Sequence, residues 1–166
     1  MEIPGTVDAV LKVKGNAVWW VAPDVMVFDA IKLMAEKNVG ALMVMDGDVL
    51  VGVFSERDYT RKVALLGKNS RATPVREVIT DRVVTVSLPT TVEECMRLMT
   101  DHRVRHLAVV DQDRLAGVLS IGDLVNWIIT AQRAAISQLE DYIAGFSENV
   151  RKIFDRFEFH HFLWQG

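Results

Sequence analysis

The sequence predicts an α+β fold: two β-α-β-β-α units packed about a pseudo-twofold axis, followed by a C-terminal helix. Three observations carry that prediction. First, Val18–Val63 aligns without a gap on Val83–Ile128, 65 positions apart. Identical pairs include Val27/Val92, Met34/Met99, Leu42/Leu107, Asp46/Asp111, Gly52/Gly117, Ser55/Ser120 and Asp58/Asp123. Second, the hydrophobic period changes in the same order within each copy, from strand to helix to paired strands to helix. Third, a unit of about 46 residues is close to the smallest that buries enough apolar surface to stand alone, so the two copies must share a core. Clefts are expected along the seam between them.

Each element follows from its residues. Val7–Val13 reads as a short leading strand or helix docked on the core. Val18–Val21 and Val83–Val86 are β-branched and aromatic runs that open the repeats as strands. Val27, Ala30, Ile31 and Met34 recur at helical spacing, as do Val92, Cys95, Met96 and Met99. Ala41–Met45 and Val49–Phe54 flank Asp46-Gly47-Asp48, and Leu107–Val110 and Leu115–Leu119 flank Asp111-Gln112-Asp113, each a hairpin signal. A second helix starts after Ser55 and after Ser120. Between the copies, Gly67, Asn69, Ser70 and Pro74 mark a connector, and Thr73-Pro74-Val75-Arg76-Glu77 reads as the entry to a short helix. The organisation expected is a docking segment 1–17, a first repeat 18–66, a connector 67–82, a second repeat 83–130 and a helical extension 131–166. In that extension Ile136, Leu139, Ile143, Phe146, Val150, Ile153 and Phe157 alternate in steps of three and four, a heptad seam. Such a seam serves either the chain's own domain or a copy of itself. Gly145 inside it weakens the coiled-coil reading by roughly 1 kcal/mol of helix propensity.

Composition excludes several classes. Half of the 166 residues are apolar, enough for one ordinary domain. A net charge of −3 lacks the basic face that nucleic acid demands. A single cysteine, Cys95, rules out an internal disulfide framework and fits a reducing compartment, with an inert core thiol as its ordinary role. No apolar run approaches the roughly 20 residues of a membrane span, and no basic-then-apolar leader opens the chain. The expectation is a cytoplasmic protein without membrane or nucleic-acid partners.

Chemistry concentrates where each hairpin meets its second helix. Gly52-Val53-Phe54-Ser55-Glu56-Arg57-Asp58 and Gly117-Val118-Leu119-Ser120-Ile121-Gly122-Asp123 share the pattern Gly-apolar-apolar-Ser-x-x-Asp. Ser-x-x-Asp at a helix start is a capping box. The same junction attracts anions, and a first-turn aspartate can accept two hydrogen bonds from a vicinal diol such as ribose. The two roles are compatible, since a carboxylate has acceptor sites for both. Arg103, Arg105 and His106 precede the strand of the second copy, where the first has Asn38, Gly40 and Ala41. They are either a solvated turn or a phosphate-recognising group. Arg57 is matched by Gly122, so the two clefts are pseudo-equivalent without being chemically equal.

At these residues the chain resembles the cystathionine β-synthase (CBS) domain family, as a stand-alone tandem pair. The resemblance covers about Val7 to Ile143. It is carried by Ser55-Glu56-Arg57-Asp58-Tyr59 with Arg61-Lys62, by Arg105-His106-Leu107, and by Ser120-Ile121-Gly122-Asp123-Leu124. It implies a regulatory module that binds AMP or a related adenine nucleotide (ADP, ATP, NAD(H) or S-adenosylmethionine) between the repeats. It also implies a disc-shaped homodimer acting on a protein target that the sequence does not name. Carried over by position, Asp58 and Asp123 would hold ribose hydroxyls, and Ser55 and Ser120 would sit by ribose or phosphate. Arg105 and His106 would cross to the phosphate of the Asp58 site, and Arg57 to that of the Asp123 site. Trp20–Val21 and Thr85–Val86 would offer backbone bonds to adenine, with Ile121 beside the ring. Ala108 stands where the family commonly has proline, and Met26 where threonine is common; both change packing more than chemistry. The aromatic tail after Ile143 (Phe146, Phe154, Phe157, Phe159, Phe162, Trp164) lies outside the family pattern.

Catalysis finds no support in the motifs. The chain has no Gly-x-Gly-x-x-Gly, no phosphate loop and no His-Glu-x-x-His. His160-His161 are helix neighbours pointing about 100° apart, a poor metal pair, so neither a metal nor an enzymatic activity is expected. Two other readings stand beside nucleotide sensing. One is an NAD(H)-responsive redox sensor, with Gly122 leaving room for a second ribose. The other is a ligand-independent interaction protein working through its C-terminal helix.

Overall fold

The computed structural model describes residues 3–80 and 82–162, with side chains described as far as residue 153. The His160-His161 pair and the aromatics from Phe154 onward therefore lie outside the described side chains. The chain divides into two units, Met1–Val125 and Asn126–Gly166.

The first unit holds two three-stranded sheets of one design. In the first, β1 (Trp20–Val21) runs parallel to β2 (Ala41–Asp46), which pairs antiparallel with β3 (Val49–Ser55). In the second, β4 (Thr85–Val86), β5 (His106–Asp111) and β6 (Arg114–Ser120) repeat that order. The register breaks at matching points, Val44/Met45 and Val109/Val110. Parallel neighbours need a crossover, supplied by α2 (Val27–Lys37) and α4 (Val92–His102). Both helices end on a left-handed residue, Asn38 and Arg103. They differ at the start: the Thr91 hydroxyl accepts from the Glu94 amide at 3.2 Å, whereas Met26 offers no side-chain cap. Val27, Ala30 and Met34 on α2 pack with Leu42, Val44 and Phe54 of the sheet, all buried. Ala41, Leu42, Met43, Val44 and Met45, on both faces of β2, are all buried, as befits a central strand, and only Asp46 at its end is exposed.

Beyond the aligned copies lies a second correspondence, at a spacing of 68 positions (Thr6 and Pro74). The connector, next to the second repeat in sequence, packs on the first. Pro74 bridges Met26, the Val75 amide donates to the Val25 carbonyl, and the Val27 amide to that of Thr73. The N-terminal segment makes the same set on the second repeat. Thr6 bridges Thr91, the Val7 amide donates to Thr90, and the Val92 amide to Gly5. The leading segment is α1 (Val7–Lys14), with Val7, Val10 and Leu11 buried, and the expected short connector helix is a 3-10 turn at Val75–Glu77. Each repeat is thus completed by a segment borrowed from outside its contiguous stretch.

Two glycines make room for these segments. A Cβ on Gly52 would stand 2.7 Å from Ile79 Cδ1 and 3.1 Å from the Thr80 carbonyl oxygen. A Cβ on Gly117 would stand 2.9 and 3.0 Å from the two Leu11 methyls. Gly52 and Gly117 are identical across the repeats because both must admit a chain laid across β3 or β6.

The second helices diverge. After Ser55, α3 (Glu56–Tyr59) passes into a π-helical turn, Thr60–Ala64, and the chain leaves through Gly67 in positive φ. After Ser120, α5 runs from Ile121 to Phe162. The equivalents of Gly67 and Pro74 are Gln132 and Leu139, so the breakers that stop the first helix are missing from the second. In the second unit Ile136, Leu139, Ile143, Phe146 and Ile153 of the heptad seam are all exposed.

Candidate functional site

Each Ser-x-x-Asp motif forms the reciprocal cap that its spacing predicts. Ser55 Oγ accepts from the Asp58 amide at 3.2 Å, while Asp58 Oδ2 accepts from the Ser55 amide at 3.0 Å and its hydroxyl at 2.6 Å. At the second junction the distances are 3.2, 2.7 and 2.9 Å. An extended strand delivers the serine with its side chain toward the first helical turn, and the aspartate three residues on completes the ring. Capping accounts for one oxygen of each carboxylate.

Cations that the motifs alone do not indicate sit on both carboxylates. Lys62 Nζ lies 2.8 Å from Asp58 Oδ1, one turn along the same helical segment. It also donates to the carbonyls of Val78 and Ile79 at 3.0 and 3.1 Å. Lys14 Nζ, at the end of α1, lies 2.7 Å from Asp123 Oδ2 and 2.7 Å from the Val118 carbonyl. Burial pushes both carboxyls up, but the lysine and serine bonds outweigh it and hold each below the usual carboxylate value of 3.8. Both aspartates are therefore ionised acceptors near neutral pH, as diol recognition requires.

Of the remaining expected residues, His106 and Arg57 reach across from one repeat to the other. His106, at the start of β5, reaches the first repeat: a Cβ on Gly40 would be 3.6 Å from His106 Cε1 and 3.6 Å from Glu56 Oε2. Burial lowers the His106 pKa, with Lys14 and Arg105 adding to the effect and Asp123 opposing it. The imidazole is consequently neutral at pH 7 and shares its surroundings with the Asp123 carboxylate. Arg57 crosses the seam as expected, but its Nη1 donates to the Arg103 carbonyl at 2.8 Å, at the left-handed end of α4. Arg105 is exposed, and its carbonyl accepts the Ile121 amide at 2.9 Å. The matching bond joins the Glu56 amide to Gly40.

Trp20–Val21 and Thr85–Val86 are the edge strands of their sheets, each paired on one side only. The outer edge of such a strand presents backbone donors and acceptors of the kind that read a purine rim. Trp20 and Thr85 are exposed, Val21 and Val86 buried, and Ile121 is exposed at the first turn of α5. A Cβ on Gly122 would meet only Ser120 Oγ, at 3.6 Å, so the space beside the second junction is open. Among the described residues no group of three His, Cys, Asp or Glu side chains lies where it could hold a metal ion. No helix there is long and apolar enough to cross a membrane.

Two sheets of one design, each ending in a Ser-x-x-Asp junction, define a tandem repeat. The chain belongs to the CBS domain family, whose model matches residues 15–65 and 75–130. Among curated relatives it is 38% identical over 149 residues to the CBS domain-containing protein CBSX3, mitochondrial, of Arabidopsis thaliana, covering 84% of this chain and 72% of that protein. It is 32% identical over 125 residues to CBS domain-containing protein YhcV of Bacillus subtilis, covering 75% and 81%. Among solved structures, a protein with CBS domains from Burkholderia ambifaria superposes with a TM-score of 0.75 at 49% identity, over 77% of this chain and 96% of that one. CBSX2, solved in complex with AMP, superposes with a TM-score of 0.59 at 30% identity, over 69% and 90%.

Sequence reasoning missed Lys14 and Thr80 as site residues. Lys14 lies 109 positions from its aspartate, and only the borrowed N-terminal segment brings the two together. Lys62 carried a local signal, being four residues after Asp58 on a helix.

Proposed function

We propose that the protein is a non-enzymatic regulatory module that binds an adenine nucleotide of the AMP type along the seam of its two repeats. Occupancy of the seam then alters the surface offered to a protein target. The observation that carries this reading is the ionised Asp123 carboxylate at a strand-to-helix junction, paired with Lys14 and within electrostatic reach of His106, on which Arg105 also acts. A carboxylate for the diol, cationic side chains for the phosphate and a backbone edge for the purine are the three recognition elements of a nucleoside monophosphate. The AMP complex of CBSX2 supports the same ligand class. A nucleotide acts as a signal only through its different affinity for two states of the seam, which bounds the response it can produce. Cytoplasmic location fits the free, buried Cys95, and homodimerisation completes the reading.

Native mass spectrometry of the purified protein, followed by calorimetric titration with AMP, ATP, NAD⁺, NADH and S-adenosylmethionine, tests this. Micromolar or tighter binding of AMP or ATP is the expected result. Preference for NADH over AMP would favour the redox reading, for which the open space beside Gly122 is the supporting observation. Indifference to all five would leave the interaction-protein reading, which the exposed stripe of Ile136, Leu139, Ile143 and Phe146 supports.

A further inference from the structure

The two junctions look alike in sequence, yet their carboxylates differ in what they have left to offer. A carboxylate has about four acceptor positions. On Asp58 the chain's own donors take all four: the Ser55 amide and hydroxyl on Oδ2, and the Thr80 hydroxyl at 3.1 Å and Lys62 at 2.8 Å on Oδ1. On Asp123 the Ser120 amide, the Ser120 hydroxyl and Lys14 all converge on Oδ2. No donor among the described residues reaches Oδ1. The exposures agree, with the Asp58 side chain at 12% and that of Asp123 at 25%.

The difference traces to the borrowed segments. Thr80 comes from the connector, held by its own bridge to Val53. The corresponding position on the N-terminal segment is Lys12, which turns away to pair with Asp8 at 2.6 Å. Nothing therefore replaces Thr80 at the second junction. The surroundings are also unequal: Lys14 pairs with Asp123, and both of them act with Arg105 on the neutral His106 imidazole, whereas Lys62 faces Asp58.

We infer that the chain binds one nucleotide, at the Asp123 junction, with Asp123 Oδ1 taking the ribose diol, and that Thr80 and Lys62 keep the Asp58 junction closed. This rests on the adenine-nucleotide reading and deepens it. Opening Asp58 requires a ligand to displace a protein donor already in place, while Asp123 accepts the diol with nothing displaced.

Calorimetry with AMP gives the stoichiometry, and hydrogen exchange of the wild-type protein locates the ligand without any substitution. The expected results are one AMP per chain and slowed exchange across 118–124 rather than 53–59. Asp123→Asn should weaken AMP at least 10-fold, in line with the loss of charged hydrogen bonds. Thr80→Ala, which frees one acceptor position on Asp58, should add a second, weaker event. Two AMP per wild-type chain, protection centred on 53–59, or a Thr80→Ala protein still binding one AMP would each overturn the asymmetry while leaving nucleotide binding intact. Failure of AMP and ATP to bind at all would overturn the parent reading and this inference with it.

Discussion

Placing a methyl group at Gly52 or Gly117 tests the borrowed-segment architecture, because the two positions meet the same kind of obstacle with different stiffness. At Gly52 the new Cβ meets Ile79 Cδ1 at 2.7 Å, Ile79 Cβ at 3.2 Å and the Thr80 carbonyl at 3.1 Å. Ile79 is β-branched and stiff at χ1. The Thr80 backbone is fixed from both sides by the pair Val53 amide to Thr80 carbonyl and Thr80 amide to Val53 carbonyl, at 3.1 and 3.0 Å. Relief therefore needs the connector to lift, at the overpacking cost of about 2–3 kcal/mol. At Gly117 the nearest atoms are the two Leu11 methyls, and the Leu11 Cγ is already at 3.6 Å. A χ2 adjustment of Leu11 or a small shift of α1 relieves it, at about 1 kcal/mol. Neither glycine has positive φ, so alanine recovers roughly 0.4–1 kcal/mol at both through the unfolded chain. Net destabilisation is about 2 kcal/mol for Gly52→Ala and close to zero for Gly117→Ala, measured by urea unfolding with a common m-value. Combining Gly117→Ala with Leu11→Ala should show favourable coupling of no more than about 1 kcal/mol, since alanine removes every conflicting atom but the clash itself is small. Ile79→Ala should rescue Gly52→Ala only in part, because Ile79 Cβ and the Thr80 carbonyl remain. Equal costs at the two glycines, or full rescue by Ile79→Ala, would refute the packing argument.

Lys62→Met should cost about 1–2 kcal/mol through lost charge-assisted bonds, discounted for the lysine's partial exposure. The Asp58 carboxyl is held below its ordinary 3.8, so its stabilisation is fully present above that pH and lost as pH falls through the depressed folded value. Lys62→Met relaxes the shift, and stability measured from pH 6 down to pH 2 should therefore fall less steeply than in the wild type. Thr91→Ala should destabilise by about 1 kcal/mol through loss of the α4 cap, read as a lower urea midpoint at unchanged m. Cys95 is fully buried, and burial, with the Glu94 charge adding, pushes its thiol up to about 11. Native protein at pH 7.5 should react with a thiol reagent only through opening, so the labelling rate should climb with sub-denaturing urea rather than stay flat.

The parts of this molecule legible in its sequence are those written by local period and local chemistry. The apolar runs Ala41–Met45 and Val49–Phe54 about Asp46-Gly47-Asp48, and Leu107–Val110 and Leu115–Leu119 about Asp111-Gln112-Asp113, located both hairpins to within a residue or two. Ser55 and Asp58 announced their cap by spacing alone, and so did Ser120 and Asp123. What the sequence did not reveal depends on which segment lies against which repeat. Thr6 and Pro74 look like ordinary linker residues until their bridges to Thr91 and Met26 are seen. Because that exchange was hidden, so were Lys14 on Asp123 and Thr80 on Asp58, and with them the difference between the two junctions. Arg57 was legible as a residue crossing the seam, but its carbonyl partner at Arg103 arises only from the left-handed turn that ends α4.

Amide proton–nitrogen spectra recorded through a titration with AMP test the central claim most directly, because they report where the nucleotide acts as well as whether it binds. The account predicts saturable shifts at the seam, foremost Arg105, His106 and Ser120 through Asp123, with the edge residues of β1 and β4 following. A spectrum unmoved by AMP, or one in which only the α5 residues 134–153 respond, would contradict it.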